Sequence, residues 1–376
     1  MDVENKIILG FTGDVSFTGI FHSKVTKRQD VFDDKTKQIL KDNDANVINF
    51  EGAIKKTESI KKGKAISNPY QSINYLKQNN IRFFNLSNNH IMDYGIPGLE
   101  NTIQNLKINN INYFGAGIDL DKSSKISYFT KNNITIALIG ICHVEGIIAD
   151  NNKAGIFSNK HKDELKKRII EAKKMADWVV LNYHGGAEFT YLPIPHKRDL
   201  LHEYLSYGVD VIIGNHPHVV QGYEKIKNKL IIYSLGNFVF DFDYFKDRKS
   251  VYDSIILNIE FYKNKFEFTP NFINIDCKTG LLKKVEINIA KDNFKEISRN
   301  YSNNWEKDAY RLLFIDAKEF CRNQVNKSKS NKIIRFLKYT KWFYFTIKSY
   351  YKGGKNTRPI LIGSLNYILN FSRKKR

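Results

Sequence analysis

Long apolar runs are missing from this 376-residue chain: no uninterrupted stretch approaches the ~18 residues that a membrane-spanning helix needs. Cysteine is scarce. Cys142, Cys277 and Cys321 stand far apart and form no paired-thiol motif, which argues against both a disulfide framework and a thiolate zinc site. The start, Met1-Asp2-Val3-Glu4-Asn5, is acidic, and the short apolar stretch behind it ends in Gly13-Asp14. It lacks the basic opening and the apolar length of a signal peptide. The chain is therefore expected to be soluble and cytoplasmic. Acidic residues are absent from Arg322 to Arg376, where 15 basic residues fall. Residues 1–321 hold 45 basic against 39 acidic side chains, so only +6 of the net +21 belongs to them. The charge is a property of the tail.

What the chain does have is a repeated arrangement of polar segments behind strand-like runs. Gly13-Asp14 follows Ile7 to Phe11, Asn49-Phe50-Glu51 follows Asn46 to Ile48, and Asn88-Asn89-His90 follows Ile81 to Leu86. His184-Gly185-Gly186-Ala187-Glu188 follows Trp178 to Leu181, and Gly214-Asn215-His216-Pro217-His218 follows Val209 to Ile213. Open α/β sheets deliver functional groups at the carboxyl ends of their strands, so five such clusters can converge on one crevice.

The first ~240 residues alternate strand and helix patterns, as βαβ units do. Helices are expected near Asp33 to Lys41, after Pro69, from Pro97 to Lys107, from Lys162 to Met175, and from His196 to Tyr207 with Gly208 as its stop. Lys55 to Asn68 reads as a polar surface loop. Farther on, Val219 to Tyr223 with Lys229 to Ser234, and Ser254 to Tyr262 with Lys265 to Ile275, read as antiparallel hairpins. Parallel units followed by hairpins imply two packed sheets with helices outside. The expected division is a domain over 1–290 and a helical, basic extension over 291–376.

A hydrolytic metal site uses hard oxygen ligands and neutral imidazoles, often with one carboxylate shared by two cations. Asp14, Glu51 as a bridge, the amide oxygen of Asn89, and His184, His216 and His218 provide that set, with His90 available for proton chemistry. On an extended backbone His216 and His218 would share a side, held there by Pro217. Alone, Gly13-Asp14 reads as a turn and Asn88-Asn89-His90 as a helix cap. Together and in this order they read as a metal centre.

These stretches, with Asp93 and Gly95, Phe114-Gly115-Ala116-Gly117, the continuation Val219-Val220-Gln221, and Ser234-Leu235-Gly236-Asn237-Phe238, resemble the CapA family of capsule (poly-gamma-glutamate) synthesis proteins. That family is a branch of the calcineurin-like metallophosphoesterase superfamily. The resemblance covers about residues 6–242 and implies an α/β fold, a four-layer α/β/β/α sandwich. It implies one or two divalent cations (Mn, Fe, Zn or Mg), one held by Asp14, Glu51 and His218, the other by Glu51, Asn89, His184 and His216. His90 would give a proton to the leaving oxygen, and Asp93 and Glu188 would orient substrate. Asn237 is read as stabilising a turn, with lining the site as the alternative. One departure stands out: the superfamily's Asp-x-His is here Asp14-Val15-Ser16, and Ser16 is a poor ligand.

The expected activity is metal-dependent hydrolysis or transfer at a phosphate-bearing intermediate of a capsule polymer. The alternative is a non-catalytic component that binds an acidic polymer or a synthesis partner. The aromatic and basic residues from Lys332 to Lys352 suit a solvated docking arm, or peripheral contact with an anionic inner membrane face or a capsule-synthesis complex through 322–376. No recognised nucleic-acid motif accompanies the charge, which disfavours a nucleic-acid partner.

Overall fold

The computed structural model describes residues 5–297, apart from 62, 145, 243–247, 277, 287 and 288. The expectations for the tail, 322–376, lie outside the described residues. The chain opens with β1 (Ile7–Val15), α1 (Gly19–Thr26), α2 (Asp34–Asp42), β2 (Ala45–Phe50), β3 (Ala53–Ile54) and β4 (Ser67–Asn68). Next come α3 (Gln71–Gln78), β5 (Ile81–Asn85), α4 (Gly95–Ile108), β6 (Asn112–Phe114), β7 (Ala116–Gly117) and α5 (Leu120–Ser123). The middle holds β8 (Ser127–Lys131), β9 (Ile134–Cys142), β10 (Gly155–Ile156), α6 (Lys162–Met175), β11 (Trp178–His184), α7 (Pro195–Tyr207) and β12 (Val211–Asn215). Then follow β13 (Val220–Ile226), β14 (Lys229–Leu235), β15 (Asn237–Val239), β16 (Asp253–Phe261), β17 (Phe266–Asp276), β18 (Leu281–Lys284) and α8 (Ile289–Asn293).

Two sheets carry the architecture. One runs β18-β17-β16-β1-β2-β5-β6, with β15 alongside the end of β1; the other runs β13-β14-β12-β11-β9-β8. In the first, β1, β2, β5 and β6 are parallel; in the second, β9, β11, β12 and β14 are. The expected hairpins are present as the antiparallel pairs β13/β14 and β16/β17.

The layers follow from side-chain alternation. Along β1, Ile7, Leu9 and Phe11 join a cluster with Ile136 and Leu138 of β9, Val180 of β11, and Val211 and Ile213 of β12. That cluster lies between the sheets. The opposite faces meet helices: Ile48 and Phe84 pack with Phe21, Leu40, Leu76 and Leu99, while Ile139, Leu181 and Ile231 pack with Leu165, Ile169, Leu201 and Tyr204. The order is helix, sheet, sheet, helix, the four-layer sandwich that the resemblance implied.

Local chemistry sets the helix ends. Asp33 caps α2 by accepting from the Thr36 amide at 2.8 Å, the usual means of satisfying an orphan helix donor. Pro195 occupies the first position of α7, and Gly208 ends that helix at φ +121°, where a side chain would be strained. The segment read as a polar surface loop is exposed over much of its length but is anchored at its end and middle. Ile66 and Asn68 are buried, and the loop folds onto the turn after β5 through Ser59 Oγ and the Ile60 amide, both donating to the Asp93 carbonyl (2.9 and 3.0 Å). Its lysines hid the apolar and amide anchors. Among the described residues no helix is long and apolar enough to cross a membrane.

Candidate metal centre

Every cluster expected at a strand end lies at the carboxyl end of a parallel strand, and the two sheets bring these ends together. Asp14, near the end of β1, stands beside Asn49 of β2 and Asn237 of β15. The close approach to β15 requires glycine: a Cβ on Gly13 would sit 2.1 Å from the Gly236 carbonyl oxygen. Without one, the Asp14 amide donates to that oxygen at 3.0 Å.

The Asp14 carboxylate is the hub. Its Oδ1 accepts from Asn49 Nδ2 at 2.7 Å and lies 3.8 Å from His184 Nδ1. Its Oδ2 accepts from the His216 amide at 3.1 Å and lies 3.4 Å from His218 Nδ1. His184, the last residue of β11, is fully buried, with Nδ1 3.1 Å from Asn49 Nδ2 and Nε2 3.0 Å from Asn89 Oδ1. Asn88 faces the scaffold instead, donating to the Phe50 carbonyl at 2.8 Å and so tying the end of β2 to the turn after β5.

His216 and His218 do come together, with ring centroids 5.7 Å apart, but not through an extended backbone. Their φ angles are +92° and +59°. Left-handed backbone at non-glycine residues costs of order 1–3 kcal/mol and gathers at functional sites. Here it turns the His216 amide towards Asp14, so a tight turn replaces the alternation expected from sequence.

Asn237 proves to be more than a turn residue. Its Oδ1 lies 2.8 Å from His218 Nδ1, while its amide donates to the Val251 carbonyl at 3.1 Å. An acceptor on Nδ1 fixes the ring and leaves Nε2 for other work.

Glu51 is the anomaly. It is 0% exposed, and neither carboxylate oxygen has a hydrogen-bond partner. A buried, uncompensated carboxylate costs several kcal/mol unless a positive charge answers it. Burial, reinforced by the charge of Asp14, raises the Glu51 carboxyl well above its ordinary range. Burial and the neighbouring His216 and His218 hold His184 well below the usual imidazole value, and burial and His218 do the same to His216. Both are thus neutral imidazoles with a lone pair to give. Burial would also lower His218, but the hydrogen bond to Asp14 and the charge of Glu51 outweigh it and lift it to about 10. The carboxylates demand positive charge among them. With the buried His216 Nδ1 also unpartnered, this donor set fits a divalent cation.

Donor atoms lying within 4.8 Å of one another form two groups, Asp14 with Glu51 and His184, and Glu188 with His216 and His218. The turn at 216–218 faces both the Glu188 loop and Asp14, while His184 lies between Asp14 and Asn89.

At the mouth, His90 Nδ1 lies 2.7 Å from Asp93 Oδ2, and Nε2 lies 3.7 Å from Glu51 Oε1. Lys61 Nζ approaches both members of the pair, 2.9 Å from His90 Nδ1 and 3.2 Å from Asp93 Oδ1. Lys61 escaped sequence reasoning because a lysine in a lysine-rich loop gives no local signal. Lys197 escaped it too. It is 1% exposed, donates to the Tyr233 carbonyl at 2.6 Å, and is lowered by burial to about 7.

Comparison with known proteins bears on this geometry. The family described as "Bacterial capsule synthesis protein PGA_cap" matches residues 8–242. The "PGA biosynthesis protein CapA" of Bacillus subtilis (strain 168) is 32% identical over 322 residues, 83% of this chain and 83% of that protein. The "Capsule biosynthesis protein CapA" of Bacillus anthracis is 35% identical over 213 residues, 54% of this chain and 52% of that one. Among solved structures, a phosphatase from Mycoplasma pneumoniae aligns at 15% identity over 74% of this chain and 97% of that one, with a TM-score of 0.43.

Proposed function

This chain belongs to the bacterial capsule synthesis protein (CapA) family, and on that premise we propose that it is a metal-dependent phosphoesterase-type protein of capsule or exopolymer biosynthesis. Its substrate would be a phosphate-bearing intermediate of an acidic, poly-gamma-glutamate-like polymer. The observation that carries the reading is Glu51: a fully buried carboxylate with no hydrogen-bond partner, grouped with Asp14 and His184 and 3.7 Å from His90 Nε2.

Asp14, Glu51, Asn89, His184, His216 and His218 would hold one or two divalent cations. When bound, such cations supply Lewis-acid polarisation of a phosphoryl oxygen and an acidified water. The chain's own groups do the rest. Asn49 and Asn237 orient His184 and His218. His90 is held on its Nδ1 side by Asp93 and Lys61. With Nδ1–H donating to Asp93, a second proton on Nε2 faces the centre, where Nε2 lies 3.7 Å from Glu51 Oε1. His90 is thereby placed to protonate a departing oxygen.

A second reading has one observation in its favour. Ser16 is fully buried and its Oγ lies 3.5 Å from Asn68 Oδ1, a partner in the scaffold. A centre short of a ligand there suits a non-catalytic component that binds an acidic polymer or a synthesis partner. Metal analysis of the purified full chain, with Mn2+-dependent hydrolysis of an aryl phosphate, separates the two. The enzyme reading expects bound metal and turnover, both lost in His216→Ala; the second expects metal or polymer binding without turnover. Full metal content in His216→Ala sinks the metal assignment.

A further inference from the structure

The loop after β11 brings a further carboxylate, Glu188, to the two imidazoles of the His-Pro-His turn. Gly186, at φ +117°, turns that loop back over the centre, and the Phe189 amide then donates to the Pro217 carbonyl at 2.8 Å. Gln221 Nε2 donates to the Thr190 carbonyl at 2.6 Å, and Thr190 Oγ1 donates to the Ala187 carbonyl at 3.1 Å. The Phe189 ring also stacks on the His218 ring, with centroids 6.0 Å apart. Phe189, next to Glu188, is thus tied to the His-Pro-His turn through a backbone bond and a ring contact.

The Glu188 carboxylate reaches the two imidazoles. Glu188 Oε1 lies 4.0 Å from His216 Nε2, and one donor atom each of Glu188, His216 and His218 falls within 4.8 Å of the others. First-row divalent cations take oxygen and imidazole donors at about 2.0–2.2 Å, so donors on opposite sides of one ion stand roughly 4 Å apart. The span needs only a small contraction.

We infer that Glu188 is a metal ligand, sharing one cation position with His216 and His218. The assignment rests on the metal-centre reading above and replaces the substrate-orienting role that the resemblance suggested for Glu188. It also changes the chemistry of the site. A third carboxylate, beside Asp14 and Glu51, makes the donor set richer in hard, anionic oxygen and shifts its preference towards Mn2+ or Mg2+ and away from softer ions. Because the Glu188 side chain is 41% exposed, it is the ligand on the solvent side, where an anionic substrate enters.

Calorimetric titration of the full-length, metal-stripped protein with Mn2+, backed by electron paramagnetic resonance of the free ion, tests this without any turnover. Wild type should take up two ions. Glu188→Gln should hold one as wild type does and bind the other at least about tenfold more weakly, the effect of losing a metal-site partner. Glu171→Gln, the same charge change at an exposed helix position, should match wild type. If Glu188→Gln binds as wild type, the inference fails and the broader metal reading stands. If wild type takes up no divalent ion, both fall.

Discussion

At the scale of the residue, His90 makes the sharpest demand. Its Nε2 faces the buried Glu51 carboxylate while Asp93 and Lys61 hold the other nitrogen. A proton donor matters in proportion to how basic the leaving oxygen is. His90→Asn should thus lower kcat by about 10²–10⁴-fold on an alkyl phosphate, and much less on a nitrophenyl ester, with metal content unchanged. Equal losses on both esters would show that His90 does not supply the proton. Asp14, Glu51, Asn89, His184, His216 and His218 were legible in the sequence because each follows a strand within a few residues, so chain order alone placed it at the crevice. Lys61 and Asn237 were not. Lys61 reaches His90 from a loop 29 positions away, and the Asn237 contact to His218 exists only once β15 lies beside β1.

At the scale of the element, α7 is locked to the second sheet by a charge network around one buried carboxylate. Arg198 and His202, one helical turn apart, both reach Glu224 on β13: Arg198 donates to its two carboxylate oxygens at 2.6 and 3.0 Å, and His202 Nε2 lies at 3.1 Å. Tyr233 on β14 donates to the same carboxylate at 2.6 Å. Burial would raise the Glu224 carboxyl, but the bonds from His202, Arg198 and Tyr233 win and hold it at about 2. A carboxyl whose folded value is depressed adds stability above its unfolded value and loses it as pH falls towards the folded one. Glu224→Gln should cost about 3 kcal/mol near neutrality, and the gap to wild type should narrow below about pH 4.5 and close near 2. Denaturant melts across that range would show it; a gap that ignores pH would mean that packing, not ionisation, sets the cost. The helix itself was legible from Pro195 and Gly208, whereas the network was not. Its four residues come from three elements, and a lone Glu224 in a strand reads as a solvent-facing charge.

At the scale of the whole molecule, the open matter is where the sandwich ends and what the basic remainder does. The expected boundary fell after residue 290, yet the described chain keeps packing beyond it. Phe294 and Ile297 are 8% and 4% exposed, the Phe294 ring lies 5.0 Å from that of Tyr223, and the Tyr223 amide donates to the Lys295 carbonyl at 3.1 Å. Burying a Phe and an Ile contributes about 3–6 kcal/mol, so a chain cut at 290 should be less stable than one cut at 297 by about that much. Equal melting of the two would place the end of the core at 290. The charge belongs farther on, since residues 1–321 carry only +6 and the 15 basic residues after them meet no acidic one. Attraction of such a segment to an anionic membrane or an acidic polymer decays with salt, because ions screen it within about 10 Å at 0.1 M. Full-length protein should therefore sediment with phosphatidylserine-containing vesicles at low salt and be released at high salt, while the chain ending at 321 stays in solution under both conditions. Since the proposed metal ligands all precede residue 242, metal content should not differ between the two lengths. Undiminished vesicle binding by the shorter chain would move the membrane contact to the sandwich and leave the tail as a solvated docking arm.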